Sequence, residues 1–166
     1  MKSAQEVVLS RYTPIRDVNE SCERTCASLL VYSGDLSPSV VTDFLGIDPT
    51  ESVVAGGKSP PNRLGFFHTG KINGWFLSSE EHVQSKDLRR HLDWLLAKLQ
   101  PSRDNLYKLQ AISGVRMYVS CPWWSRLGAG GVVDLWPEQM QGLADLNLQC
   151  TIVFADYSED TSSVSG

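Results

Sequence analysis

The sequence predicts an α+β fold, a mostly antiparallel sheet with helices packed on one face. Three observations carry that expectation. Short apolar runs rich in β-branched and aromatic residues recur along the chain, each ending in Gly, Asn or Asp; one leucine stripe has helical spacing; and strand-like and helix-like segments alternate. The alternation also suggests two β-α-β halves. With 166 residues the chain is long enough for one self-sufficient core.

The run ASLLVYSGD, starting at Ala27, reads as the first strand. Ser37 can cap a helix whose first position is Pro38, whose inward stripe is Val40, Val41, Phe44 and Leu45, and whose stop is Gly46. DPTESVVAGGKSPPNRLG holds too many Pro, Gly and Ser residues for regular structure and is expected to be a long surface loop. A second strand follows around residues 74–78. In SKDLRRHLDWLLAKLQP, Leu88, Leu92, Leu95, Leu96 and Leu99 share one helical arc, with Ser85 placed to cap the start and Pro101 to close the end. RDNLYKLQAI continues as a shorter helix or turn.

Val115, Met117, Val119 and Cys121 alternate with Arg116, Tyr118 and Ser120, as in a strand with one covered face. Residues 131–134 read as its antiparallel partner, which makes residues 122–130 a glycine-rich hairpin connection. LWPEQMQGLADLNL predicts a last helix, and Leu148, Cys150, Ile152 and Phe154 alternate along a final strand. Asp35-Leu36-Ser37-Pro38 echoes Asp134-Leu135-Trp136-Pro137 before the first and last helices, in keeping with two halves. The expected organisation is an N-terminal arm over residues 1–26, a single α+β domain over 27–157, and a flexible tail over 158–166.

The order of these pieces resembles a bacterial family known only as domain of unknown function 4279. The resemblance covers residues 27–157 and rests on VYSGDLSP, on VTDFLGIDPTESVVAGGK, on Trp75 followed by a polar stretch, on the leucine helix, and on the closing FADY. It implies an α+β domain, supplies no catalytic residues, and leaves the residues up to Arg24 outside it.

A formal net charge of −4 argues against a nucleic-acid partner, which needs clustered Lys and Arg. No apolar run is long enough to cross a bilayer, and Glu6 and Arg11 interrupt any secretory signal, so a cytoplasmic location is expected. Cys22, Cys26, Cys121 and Cys150 are expected as buried free thiols, since only the Cys22-x-x-x-Cys26 pair has local spacing and a metal site wants more. Leu127-Gly128-Ala129-Gly130-Gly131 and Gly56-Gly57-Lys58-Ser59 both lack the frame of a phosphate loop. His68, His82 and His91 have no metal-binding spacing, and Asp87 with His91 reads as a solvated pair one helical turn apart. No cofactor, no metal and no catalytic residue is assigned.

Binding is the better expectation. Trp94 projects outside the leucine arc, between Arg90 and Lys98, as an interface anchor or as cover for a neighbouring loop. Trp123 and Trp124 are consecutive, point to opposite sides of an extended segment, and stand beside Arg126. These six residues form the predicted contact surface of a non-enzymatic interaction or ligand-binding domain, an immunity-type or regulatory accessory protein whose partner is another protein or a second copy. The alternative is a small hydrolase drawing on Cys121, His68, Asp48 and Glu51.

Overall fold

The computed structural model describes residues 13–56, 72–126 and 130–157. Six strands and four α-helices follow in the order β1 (Cys22–Thr25), β2 (Ser28–Gly34), α1 (Pro38–Leu45), β3 (Glu51–Val53), β4 (Asn73–Ser78), α2 (Leu88–Leu99), α3 (Arg103–Gln110), β5 (Arg116–Arg126), α4 (Pro137–Asp145) and β6 (Cys150–Tyr157). The fold is α+β, as the sequence predicts.

One sheet contains every strand among the described residues. β1 and β2 both pair antiparallel with β5 and share one register: Arg24 faces Trp124, Thr25 faces Trp123, Ser28 faces Ser120 and Tyr32 faces Arg116. They are one long strand broken at Cys26 and Ala27, where the ladder would meet Pro122, which has no N–H to donate. The Pro122 carbonyl is taken instead by the Thr25 hydroxyl at 2.9 Å. Ala27 turns to the other side, its N–H donating to Ser79 Oγ at 2.9 Å and its carbonyl accepting from Ser79 N at 3.0 Å.

β2 pairs antiparallel with β4, β4 antiparallel with β3, and β5 parallel with β6. It follows that the helical connections β2-α1-β3, β4-α2-α3-β5 and β5-α4-β6 all join parallel strands. Strand direction and direction of travel across the sheet reverse together between the first and the others, so the right-handed crossover rule puts every helix on the same face. The core agrees. Leu29, Val31, Trp75, Leu77, Val119 and Cys121 from the sheet form one cluster with Val41 and Leu45 of α1, Leu92 and Leu95 of α2, Leu106 and Leu109 of α3 and Leu143 of α4. The opposite face carries the smaller cluster of Leu30, Val53 and Phe76.

Two β-α-β units occur, β2-α1-β3, which straddles β4, and β5-α4-β6, whose strands are neighbours, but not with the expected strands: the first closes on β3, out of the expected loop, and the second opens on β5 and not on residues 131–134. Pro38 and Pro137 each open their helix, where a missing N–H and a fixed φ are harmless. Gly46 ends α1 with φ 65°, a left-handed turn that sends its N–H back to Thr42 O at 2.7 Å.

Four expectations need correcting. The loop after α1 contains the edge strand β3, too short and too rich in polar neighbours to show periodicity. Residues 22–25 of the expected arm are strand β1. Residues 131–134 are not a strand; β5 instead runs on through Pro122, Trp123 and Trp124, so there is no hairpin. Asp87, not Ser85, caps α2: its carboxylate accepts from Arg89 N, while Ser85 Oγ accepts from Asp87 N at 3.0 Å. His68, the Gly57-Lys58-Ser59 stretch and the tail over 158–166 lie outside the described residues.

Candidate functional site

The start of α2 is where charge, chain crossing and a cavity meet. Asp87, in extended conformation at the N-cap, turns its carboxylate onto the first helical turn, and Arg89 folds back upon it: Nη2 lies 2.6 Å from Oδ2 and Nε 2.9 Å from Oδ1. The fork is used twice. Nη1 donates to Thr13 O and Nη2 to Pro14 O, both at 2.9 Å, and Arg16 N donates to Asp87 Oδ2 at 2.8 Å. Trp136 closes the other side, its ring centre 4.7 Å from the guanidinium carbon. Arg89 is only 2% exposed, a burial tolerable because its charge is paired and its donors are engaged. Burial pushes the Asp87 carboxyl up, but the hydrogen bonds from Arg89 and from the Arg16 amide outweigh it and hold the group below its ordinary value.

This clamp ties residues 13–16 to α2 and defines one bank of a cleft of about 500 Å³. Trp123 lies at its base, and residues 131–134 form the opposite bank, with Arg16, Lys86 and Asp134 among the lining groups. Gly131 is there because nothing larger fits: a Cβ on it would stand 2.0 Å from Cη2 of Trp123. On the indole's other side Phe154 packs edge-on at 5.9 Å between centroids. Among the described residues, neither Arg16 nor Lys86 has an ion-pair partner, whereas Arg89 and Asp87 satisfy each other.

Beside the clamp sits a second buried polar group. Ser79 Oγ lies 2.7 Å from His91 Nδ1, and His91 Nε2 lies 2.7 Å from Ser85 O. A backbone carbonyl only accepts, so Nε2 carries the proton and Nδ1 accepts from the Ser79 hydroxyl. Burial pulls the His91 pKa down and keeps the ring neutral. The pair has the outline of a nucleophile and base, yet Ser79 is 0% and His91 1% exposed and no substrate reaches them. The expected solvated Asp87–His91 pair does not form, because both side chains face inward to other partners.

The six predicted contact residues fall in three places. Trp94 is half-buried against the core and stacks on His82 of the β4–α2 loop, with centroids 4.8 Å apart and planes 11° from parallel. Its neighbours on α2 are Lys98, with Nζ 5.7 Å from the ring centre, and Arg90, ion-paired to Asp17 at 3.3 Å. Trp123 lies on the helix-bearing face, in the cleft. Trp124 lies on the other face under the Arg24 guanidinium at 3.9 Å, and Arg126 pairs with Glu23 at 3.1 Å. Around Trp124 there is a smaller cavity of about 280 Å³, but its charges are largely matched, Arg24 with Glu80 and Asp17 with Arg90.

Of the groups named for a hydrolase, Cys121 is fully buried, and its thiol is driven up by the hydrogen bond it shares with Cys150 and by burial. Among the described residues no group of three His, Cys, Asp or Glu side chains is placed to hold a metal ion. Sequence reasoning found Trp123 but missed Arg16, Lys86 and Arg89. The signal available was Asp87-x-Arg89 at a helix start, an acid at the cap followed two residues later by a base long enough to fold back on it.

A family model described as a domain of unknown function (DUF4279) matches residues 22–157, so the match begins with β1 and closes with β6. No curated protein and no solved structure matches the chain.

Proposed function

Because the chain belongs to the DUF4279 family, whose description assigns no activity, its function is argued from its own residues, and we propose that it is a non-catalytic ligand-binding domain that takes an anionic small molecule in the cleft over Trp123. The observation that carries this reading is the pair of cations, Arg16 and Lys86, that line the cleft without an ion-pair partner among the described residues. An anion bearing a carboxylate or phosphate group satisfies both. Val132 and Val133, above the buried Trp123 and Leu88, offer apolar surface to the rest of such a molecule.

A catalytic reading has less support. The one serine–histidine contact described is sealed in the core, and the Cys121 thiol is buried and held protonated. A binding domain of this kind suits a regulatory accessory protein in a reducing, cytoplasmic setting, where the free thiols Cys22 and Cys26, pushed up to about 11 by burial, stay reduced.

The test is thermal denaturation with added inorganic phosphate or succinate against sodium chloride at equal ionic strength. Binding to the folded state alone raises the midpoint in proportion to the logarithm of ligand concentration. The Arg16→Glu, Lys86→Glu double variant should fold and lose that shift. If both anions leave the midpoint where chloride leaves it, or if the double variant keeps the shift, the cleft is not an anion site.

A further inference from the structure

Cys121 on β5 and Cys150 on β6 bring their sulfurs to 3.7 Å across the parallel pair. Cys121 is fully buried, while Cys150 is half-buried and within reach of a small solute. We propose that these two thiols are a redox site, converted by hydrogen peroxide into a reversible disulfide that ties β6 to β5.

The division of labour follows from position. Cys150 is half-buried and is the thiol that a small solute meets first, whereas Cys121 is fully buried behind it and is placed to resolve. The Cys150 thiolate attacks one peroxide oxygen; an S–O bond forms, the O–O bond breaks, and the departing hydroxide takes up a proton as water. Cys121 then attacks the sulfenic sulfur of Cys150. The S–S bond forms, the S–O bond breaks, and hydroxide leaves with the Cys121 proton as a second water. Two thiols have given up two electrons and two protons, and one peroxide has become two waters.

A disulfide needs its sulfurs roughly 2.05 Å apart, so the pair closes by less than 2 Å. The register sets Cys150 opposite Val119 and Cys121 opposite Ile152, so the cysteines are diagonal neighbours. Half-burial of Cys150 keeps the bond within reach of a thiol reductant, and accessible disulfides are the labile kind. The loop it closes contains α4 and residues 131–134, so oxidation fastens one bank of the cleft to the sheet.

The full chain is treated with hydrogen peroxide, then alkylated with iodoacetamide in denaturant and digested. The expected result is a monomer lighter by two hydrogens, two alkylated cysteines where the reduced protein has four, and a peptide joining Cys121 to Cys150 that vanishes with dithiothreitol. Cys150→Ser, a change at a half-buried position, should abolish the link. Cys121→Ala should leave Cys150 trappable by dimedone; if that variant does not fold, the wild-type peptide map decides alone. A link between Cys22 and Cys26, a disulfide found only between chains, or Cys150 oxidised to sulfinic acid with no link to Cys121 would each overturn the proposal.

Discussion

Arg89 holds Asp87 in a two-point fork, Nη2 to Oδ2 at 2.6 Å and Nε to Oδ1 at 2.9 Å, and from the same guanidinium reaches the carbonyls of Thr13 and Pro14, more than seventy residues earlier in the chain. Removing one partner leaves the other charge buried alone. Arg89→Ala is expected to cost about 3–5 kcal/mol and to release residues 13–16. Arg89→Lys should recover little, since a point charge cannot replace a planar fork. Urea titration gives the stability, and limited proteolysis near Thr13 gives the release. An Arg89→Ala protein with wild-type midpoint and an uncut N-terminal segment would show that the clamp is ornamental. Because the folded-state pKa of Asp87 is depressed, its contribution is present above the unfolded carboxylate value near 3.8 and is lost as pH falls through the folded value.

His91 acts in a different pH window. Its folded pKa lies below the ordinary 6.5 because burial of the ring outweighs the Ser85 carbonyl and the Asp87 and Glu80 charges, which favour the protonated form. Above 6.5 the ring is neutral in both states and stability is insensitive to it. Below 6.5 the unfolded chain takes a proton that the folded chain refuses, so stability falls until the folded pKa is reached. Urea midpoints between pH 7.5 and 5 should therefore decline, and His91→Gln should flatten the decline while lowering stability overall. A variant with the same slope as wild type would assign the acid sensitivity to other groups.

The local parts of this fold were legible and the long-range parts were not. Pro38, Gly46 and the leucine spacing of α2 state their structure within a turn or two of chain, and all three held. β3 and β1 are three and four residues long, and strands that short have no period to read; what makes them strands is a partner supplied from β4 and β5. Residues 131–134 look like a strand because Val132 and Val133 are β-branched, yet Gly131 spends its small size on contact with Trp123 and not on a ladder. The candidate site failed for the same reason. Nothing in the sequence around Arg89 announces Thr13 and Pro14, the distant segment whose carbonyls its guanidinium takes.

Gly131 gives a direct test of that contact. An alanine there would place its Cβ against the six-membered ring of Trp123, so either the indole or the whole segment must move. Gly131→Ala is expected to cost about 1–3 kcal/mol, the usual range for overpacking, and to change the tryptophan emission as Trp123 is displaced. Gly130→Ala, at φ 61° with open space around it, should cost backbone strain and leave the emission unchanged. Identical spectra for the two variants would place Gly131 away from the indole.

Trp94 decides between two readings of the outer face of α2. A tryptophan outside the leucine arc can be an anchor for a partner or a cover for a loop, and its stacking on His82 with planes 11° from parallel favours the cover. The loop it holds carries Ser79 and Ser85, both bonded to His91, so losing the indole should loosen that network as well as expose apolar surface. Trp94→Ala is expected to lower stability by about 1–3 kcal/mol, less than a fully buried aromatic, and to leave the molar mass by light scattering unchanged. Leu95→Ala, fully buried, should cost about 2–5 kcal/mol, and Leu95→Asp should be worse because it buries an unpaired carboxylate. Leu96 is half-buried against Gly142 of α4, so Leu96→Ala should fall below Leu95→Ala. A Trp94→Ala protein that melts like wild type but loses self-association would reverse the assignment and make Trp94, with Arg90 and Lys98, a docking surface.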